Sequence, residues 1–263
     1  MVKYKLFPFR RSMFLIPILF LGMIYHAAIE HILFFNPKAP DLAKLDGAAI
    51  KQQYLRTMLS IQGSLFEYNF FQSFIFPILI VFAVFIYHFV KTRHLKYVIG
   101  KQRDYDRRLF SLKCQMGGLI VGLFTILLLV IIGIALVINR MEYPQLEMYF
   151  NPHSILRIFA RGTWAYLLYY FLIKASALFV QTLFACYLVD YYVSFPKAAL
   201  LYLFLLWGLA PILYSFLPVY LVPMSNLMIT AYGGVSLWQV ALTYLPFLLM
   251  YGVLKVRKSY EVD

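Results

Sequence analysis

Long apolar segments alternate with polar connections along this chain of 263 residues. A helix of about 20 apolar residues crosses the hydrocarbon core of a bilayer, which is about 30 Å thick. Windows of this kind lie at about 13–35, 70–90, 115–138, 164–189, 198–221 and 234–254. The strict alternation of barrel strands is absent, so each span must satisfy its backbone hydrogen bonds as a helix. The pattern predicts an all-α integral membrane protein with six transmembrane helices, organised as a single domain over residues 1–263.

Composition supports membrane insertion and gives no reason to predict nucleic-acid binding. The chain is 63% hydrophobic and 13% charged, with a mean hydropathy of +0.76, which is more apolar surface than one water-soluble core can bury. The formal net charge is +13, but cations in a membrane protein first mark the loops that stay in the cytoplasm. Cys114 and Cys186 lie at apolar positions and are interpreted as packing residues rather than as a disulfide or a zinc site.

The distribution of cations sets the orientation. With the N-terminus in the cytoplasm, sixteen of the 24 Lys and Arg fall on the cytoplasmic side and seven outside, and Lys174 lies within a span. The positive-inside rule therefore predicts that both termini are cytoplasmic. The first apolar run, 13–35, is too long for the core of a signal peptide and lacks a small-residue cleavage site, so we expect a retained anchor.

Two connections on the predicted exterior side have patterns of their own. The segment 36–69 is the longest connection, and its part from Leu42 to Phe66 mixes apolar and polar residues, which indicates a helical cap near the outer surface. The segment 217–234 contains two prolines and ends in a pair of glycines. It is interpreted as a partly membrane-embedded hairpin, and the alternative is a plain loop after a fifth helix kinked by Pro211.

Motifs that carry catalytic chemistry are missing from the sequence. It has no GxxxxGK[ST] phosphate loop, no HExxH, no GxSxG and no paired carboxylates on a span. No catalytic residue is predicted, and the chain is not expected to be an enzyme. His26, Glu30 and His31 share one face of the first helix or its edge. Interfacial polar side chains explain them better than a metal or proton site, so no metal site is predicted.

Lys174 is a cation well inside a predicted span, where an unpaired charge costs at least a few kcal/mol. Gln181 lies two turns further along the same face, so the two indicate a polar seam rather than lipid contact. Two interpretations stay open: Lys174, together with Gln181, lines a translocation path or binds an anionic substrate, or Lys174 pairs with a carbonyl or polar residue of a neighbouring helix. Asp190 ends the fourth predicted helix, and the short turn before Lys197 is interpreted as a helix connection or a contact for a partner subunit.

The loop from Lys91 to Lys113 concentrates positive charge. Its cations are Lys91, Arg93, Lys96, Lys101, Arg103, Arg107, Arg108 and Lys113. A topology signal with affinity for anionic headgroups accounts for the charge alone. Leu95, Val98 and Ile99 also have the spacing of a short amphipathic helix, which Gly100 can end. A short helix, a break and a second helix leading into the third span form an elbow able to transmit force from a soluble subunit.

The second span and this loop contain FFQSFIFPILIVFAVFIYHFV and LKYVIGKQRDYDRRLFSLK, which with the residues between them make about 45 residues. Together they resemble the permeases of type-2 ABC transporters, the bacterial exporter group with six helices per subunit. The positions that fit the family pattern are Pro77, Leu95, Lys96, Tyr97, Ile99, Lys101, Tyr105, Leu109, Leu112 and Lys113. The chain departs from the pattern at His94, where the family has Gly, and at Gly100 with Lys101, where it has Thr-Arg.

The resemblance implies a subunit of an ATP-driven exporter in the bacterial cell membrane. Such permeases act as homodimers or heterodimers and dock two separate ATPase subunits, which bind ATP and Mg, while the permease chain itself binds no cofactor. On this chain the coupling helix would run from Arg93 to Arg103, with apolar side chains entering an ATPase groove and cations steering the partner. The apolar residues are Leu95, Tyr97, Val98 and Ile99, and the cations are Arg93, Lys96, Lys101 and Arg103. The segment from Val2 to Arg11 would match a connecting helix at the inner surface.

The activity implied is export of a hydrophobic or amphipathic substrate, such as a peptide, an antimicrobial compound or a lipid-linked molecule. Export would use a rigid-body switch between inward-open and outward-open forms. The alternative function is that of a non-transporting membrane assembly or sensory protein whose basic loop binds a protein partner or anionic lipid. Membrane lipids are partners in both cases, and an ATPase that co-purifies with the chain would separate the two functions.

Overall fold

A computed structural model of the protein describes residues 15–36, 46–93, 102–141, 162–192, 194–228 and 236–260. Throughout these ranges the regular elements are helices and no β-strand occurs, which confirms the all-α prediction for the described part of the chain. The chain divides into two compact units. The first unit contains Met1–Phe71 and Leu123–Pro144, and the second contains Gln72–Gly122 and Gln145–Asp263.

Ten α-helices are described in these ranges. They are α1 (Leu15–Leu33), α2 (Gly47–Met58), α3 (Ile61–Arg93), α4 (Gln102–Val137), α5 (Thr163–Tyr192), α6 (Phe195–Leu203), α7 (Ala210–Phe216), α8 (Ser225–Met228), α9 (Leu237–Leu242) and α10 (Leu245–Tyr260). A π-helical turn, Phe204–Gly208, continues α6, and a 3₁₀ turn, Val219–Leu221, follows α7.

Four helical segments are long and apolar enough to cross a membrane. They are Phe71–Arg93, Tyr105–Val137, Thr163–Tyr192 and Trp238–Val256. A fifth span results if Phe195–Gly208 and Ala210–Phe216, which meet at an angle of 44°, are counted as one broken helix. Within α1 the apolar part, Ile16–His26, is shorter than a full span. The described residues thus have the composition of a multi-pass membrane protein, while the count of six spans and the cytoplasmic termini stay predictions.

The helical cap expected between Leu42 and Phe66 is helical where it is described. Asp46 caps α2, because its Oδ1 accepts hydrogen bonds from the amides of Ala48 at 3.0 Å and Ala49 at 3.4 Å. After a two-residue break, the hydroxyl of Ser60 accepts a hydrogen bond from the amide of Gly63 at 3.1 Å. This contact helps to start α3 at Ile61, well before the predicted start of the second span at residue 70.

The core of the first unit forms around Tyr68. Its ring meets Phe20 edge-on at 5.3 Å between centroids and stacks on Phe124 at 6.1 Å. The hydroxyl of Tyr25 lies 2.9 Å from that of Ser64, so α1 and α3 also share a buried hydrogen bond. These contacts place the start of α3 against α1 and the later part of α4.

The second unit is arranged around α5. This helix packs against α6, α8 and α10, and it buries side chains on more than one face, from Tyr166 near its start to Val189 near its end. A helix buried on several faces requires polar residues within it to find partners inside the protein, because neither water nor lipid satisfies them. The polar residues of α5 are therefore the place to look for a functional arrangement.

The bend near Pro211, which belonged to the alternative interpretation of this region, is present with an angle of 44°. Proline has no N–H, so it cannot complete the hydrogen bond to the carbonyl four residues earlier. The chain adapts with a π turn, in which the amide of Leu209 bonds to the carbonyl of Phe204 at 2.9 Å.

Beyond α7, the segment from Val222 to Leu227 is largely buried in the second unit. The predicted hairpin is thus described as far as Met228, and its two glycines, Gly233 and Gly234, lie outside the described residues.

Candidate functional site

Asp190 near the end of α5 binds side chains from two other helices. The Nζ of Lys91 on α3 lies 2.6 Å from Oδ1 of Asp190, and the Nζ of Lys113 on α4 lies 2.6 Å from Oδ2. The hydroxyl of Tyr87 donates a further hydrogen bond to Oδ1 at 2.7 Å. These four residues, called the Asp190 cluster below, join α3, α4 and α5 through a single carboxylate.

The position of each cluster residue follows from its helix. Tyr87 and Lys91 are four residues apart on α3 and therefore lie on one face. Lys113 is placed by α4, and its ammonium also lies 3.5 Å from the centroid of the Tyr187 ring, one turn before Asp190 on α5. The carboxylate thus meets one ammonium at each of its oxygens.

Burial separates this cluster from an ordinary surface ion pair. The side chains of Lys113, Asp190 and Lys91 are 5%, 11% and 20% exposed. At such exposure water screens the attraction poorly, and a charge left without its partner is costly. Because two ammonium groups share one carboxylate, loss of Asp190 would leave two like charges close together, whereas loss of one lysine would leave a balanced pair.

A cavity of about 430 Å³ borders the Asp190 cluster. Its lining combines Lys113 and Asp190 with aromatic side chains from three helices, among them Phe110 on α4, Tyr187 on α5 and Tyr251 on α10. Lys255, an exposed residue of α10, also lines it. The lysines that line the cavity donate hydrogen bonds, Asp190 accepts them, and the tyrosine hydroxyls can do both. This mixture favours no single class of ligand.

Lys174, in the middle of α5, is fully buried and has a protein partner. Its Nζ donates a hydrogen bond to the carbonyl oxygen of Leu227 in α8. It also lies 5.6 Å from the centroid of the Tyr170 ring, one turn earlier on α5. This is the type of contact expected if Lys174 pairs with a carbonyl of a neighbouring segment, and it fastens the buried segment 222–227 to α5.

Gln181 belongs to a separate chain of buried hydrogen bonds. Its Oε1 accepts from the hydroxyl of Tyr202 at 2.9 Å, and its Nε2 donates to Oδ1 of Asn226 at 3.2 Å. The Nδ2 of Asn226 then donates to Thr243 Oγ1 at 2.9 Å, and that hydroxyl donates to the Val240 carbonyl at 2.7 Å. Lys174 and Gln181 are therefore both buried on α5, and each contacts α8 through a different partner.

The predicted docking residues are only partly described. Arg93 ends α3 with an exposed side chain, and its guanidinium carbon lies 4.6 Å from the centroid of the Phe89 ring. Arg103 belongs to α4, with a side chain outside the described residues. The others, Leu95, Lys96, Tyr97, Val98, Ile99 and Lys101, lie outside the described residues. The second stretch of the basic loop is described from Gln102 onward and forms one continuous helix with the third span.

Other candidates from the sequence are not brought into one arrangement. The Nδ1 of His26 lies 3.5 Å from Oε2 of Glu30, both side chains being exposed, while the side chain of His31 lies outside the described residues. Among the described side chains, no group of three His, Cys, Asp or Glu is placed to hold a metal ion. Cys114 and Cys186 are separate free thiols, and Cys186 is buried.

The sequence did not indicate the Asp190 cluster. It marked Asp190 only as the end of a helix and Lys91 and Lys113 only as the ends of a basic loop. The available signal was an acidic residue in an apolar helix end, which needs a cationic partner on the same side of the membrane.

Comparisons with protein-family models, with curated proteins and with solved structures found no match for this chain. The class that the fold supports is a helical multi-pass membrane protein.

Proposed function

We propose that the chain is the membrane-spanning permease subunit of an ATP-driven exporter, with ATP hydrolysed by a separate subunit that docks on the basic loop. The observation that carries the proposal is the Asp190 cluster. It holds Lys91 in the last turn of α3 and Lys113, about three turns after the start of α4, on one carboxylate of α5.

This arrangement suits the transmission of force. A partner that displaces the loop also displaces the helix ends on either side of it. The ion pairs of Lys91 and Lys113 would carry that displacement to Asp190, since a buried pair resists separation. From Asp190, α5 extends about 24 Å to Lys174 at 1.5 Å per residue. A displacement of the loop would therefore be transmitted along α5 to the buried segment 222–227, which Lys174 contacts at Leu227.

Charge and apolar spacing suit an ATPase partner with an acidic groove. Arg107 and Arg108 are exposed on α4, as is Arg93 on α3. Exposed cations of this kind raise the rate of encounter with an acidic partner and set its orientation. Leu95, Tyr97, Val98 and Ile99 would supply the apolar contacts. The similarity of this loop to type-2 ABC permeases supports the same assignment, including a second permease, identical or different, in the assembly and a bacterial cell membrane as its location.

Co-purification with an ATPase is the direct test. The tagged chain, extracted in mild detergent from its native membranes, should bring down a P-loop ATPase whose ATP hydrolysis can be measured in the complex. The variant Leu95→Asp with Tyr97→Asp should lose this partner. A matched control, Leu146→Asp with Tyr149→Asp on the predicted exterior loop, should retain it.

The proposal is wrong if no nucleotide-binding subunit accompanies the wild-type chain, or if the loop variant retains the partner and its phenotype is unchanged. A complex with a different cytosolic protein that depends on Leu95 and Tyr97 would instead favour the assembly or sensory function. A P-loop ATPase gene beside the gene for this chain would identify the protein to co-express.

Lys174→Met tests whether the buried lysine belongs to the substrate path. Methionine has a similar length and no charge, so it removes the bond to Leu227 without leaving a large void. Export that is lost while expression and assembly stay normal would support a place for Lys174 in the path. Export at the wild-type rate would show that Lys174 has a structural role, in which it holds the segment 222–227 against α5.

A further inference from the structure

A polar basin in the first unit lies where α2 ends, α3 begins and α4 ends. Its volume is about 220 Å³, and its lining includes Arg56, Arg140, Gln53, Gln62, Asn139 and Ser60. We call it the arginine basin. None of the described residues that line it is acidic, and none is apolar. The basin therefore presents two guanidinium groups surrounded by side-chain amides and hydroxyls.

The backbone that carries Arg140 is fixed at both of its polar groups. Its amide donates to the carbonyl of Ala135 at 2.9 Å, and its carbonyl accepts from the amide of Ile61 at 3.2 Å. The residue before it, Asn139, has a φ of 53°, the left-handed conformation that ends a helix and that Asn tolerates better than most residues. The end of α4 is thus bonded directly to the start of α3.

The backbone on the opposite side is fixed as well. Arg56 lies in the last turn of α2, and the carbonyl of Thr57 accepts a hydrogen bond from the hydroxyl of Ser60 at 2.6 Å. A side chain at Gly63 would place its Cβ only 2.4 Å from that same carbonyl, so the close turn between α2 and α3 requires glycine there. Both arginines therefore extend from rigid backbone into a preformed basin.

The charges of the basin have no counter-ion among the described residues. Neither Arg56 nor Arg140 forms an ion pair with them, and Asp46 on the same connection is engaged in capping α2. At the start of α3 the amides of Ile61 and Gly63 already donate to the Arg140 carbonyl and the Ser60 hydroxyl, so the positive charge of the basin comes from the two arginines. Guanidinium groups match the oxygens of phosphate in pairs of parallel hydrogen bonds.

We propose that the arginine basin binds a phosphate group, with Arg56 and Arg140 as the charged ligands and the neighbouring amides and hydroxyls as further donors. The group would come from a soluble phosphate or from the headgroup of an anionic phospholipid. This proposal does not depend on an ATPase partner, so its outcome and that of the exporter proposal are separate.

Calorimetric titration of the purified full-length chain in detergent with inorganic phosphate, against chloride at equal ionic strength, tests the first source. Arg56→Gln and Arg140→Gln should each weaken binding by about tenfold, because each removes a charge-assisted pair of hydrogen bonds. Arg140→Lys keeps the charge but loses the planar fork, so its affinity should be intermediate. Arg108→Gln, which removes an exposed arginine of α4, should have no effect.

Nanodiscs that contain phosphatidylglycerol in a phosphatidylcholine background test the second source. If the phosphate belongs to a lipid, native mass spectrometry should detect phosphatidylglycerol retained by the wild type. The Arg56→Gln, Arg140→Gln double variant should retain about tenfold less of this lipid. In that case neither protein should bind free phosphate. Thermal unfolding without ligand should be the same for all variants, because both arginines are exposed and their loss creates no cavity.

The proposal is overturned if the double variant matches the wild type with both probes, or if Arg108→Gln reduces binding as much as the basin variants do. The second result would assign the binding to overall positive charge rather than to the basin.

Discussion

Two pairs of cations in this protein have opposite surroundings. In the Asp190 cluster, Lys91 and Lys113 lie against one carboxylate at 2.6 Å each. In the arginine basin, Arg56 and Arg140 have no carboxylate among the described lining residues, which are otherwise uncharged amides and hydroxyls. Charge at a helix junction therefore joins the helices where a carboxylate is built in, and stays open to an outside anion where none is.

Burial strengthens the contrast. The Asp190 cluster is largely closed to solvent, so its charges interact strongly and each depends on the others. The arginines are exposed and solvated, so each can be removed at little cost to the fold. The cluster is therefore expected to respond to substitution mainly in stability and in the transmission of movement, and the basin mainly in ligand binding.

The largest effect should come from Asp190→Ala. Removal of the shared carboxylate leaves two ammonium groups without a partner, which we expect to reduce the stability of the folded chain by about 3–5 kcal/mol. The measurement is the midpoint of thermal unfolding in detergent. Asp106→Ala, on an exposed position of α4, is the control and should change stability by less than about 0.5 kcal/mol. Equal shifts for the two variants would mean that the cluster does not hold the helices.

A smaller loss should follow from Lys113→Met. This change leaves Lys91 and Asp190 as a balanced pair and removes the contact between the ammonium and the Tyr187 ring, so we expect a loss of about 1–2 kcal/mol. The same unfolding assay measures it. A loss as large as that of Asp190→Ala would show that the shared carboxylate is not the centre of the cluster.

The smallest effect on stability should come from Gln53→Glu, which gives the arginine basin the carboxylate that it lacks. The new side chain lies one turn before Arg56 on α2, and an exposed pair of this kind contributes about 0.3–0.5 kcal/mol. Phosphate binding should nevertheless fall sharply, because the new carboxylate would pair with the arginines in place of the phosphate. Calorimetric titration of Gln53→Glu with phosphate measures this, with Gln53→Ala as the control. If the glutamate variant binds phosphate as well as the wild type, the lack of a carboxylate is not what leaves the basin open to an anion.

Much of the fold follows from local patterns in the sequence. Apolar length predicted the helices of the later spans, and Pro211 predicted the bend, because both depend on residues close together in the chain. The span within α3, Phe71–Arg93, starts close to the predicted residue 70. The helix itself begins earlier, at Ile61, since the hydroxyl cap of Ser60 and the close turn at Gly63 extend it through a polar segment that hydropathy excludes from a span.

The contacts of the candidate site could not be predicted in the same way. Asp190 and Lys91 are 99 positions apart, and nothing in the local pattern of either residue specifies the other. The bond between Ile61 and Arg140 has the same character. Lys174 could be predicted as a buried cation that needs a partner, because it lies in an apolar run. The sequence did not indicate that this partner is the carbonyl of Leu227.

The central claim is that movement of the basic loop reaches α5 through Asp190. Asp190→Asn tests it most directly, because asparagine retains an acceptor for Tyr87 and Lys91 but loses the charge that binds both lysines. In proteoliposomes with the proposed ATPase partner, we expect the complex to assemble and hydrolyse ATP while export per ATP hydrolysed falls by about tenfold or more. Export at the wild-type ratio in a fully assembled Asp190→Asn complex would show that Asp190 does not carry the movement of the loop to α5.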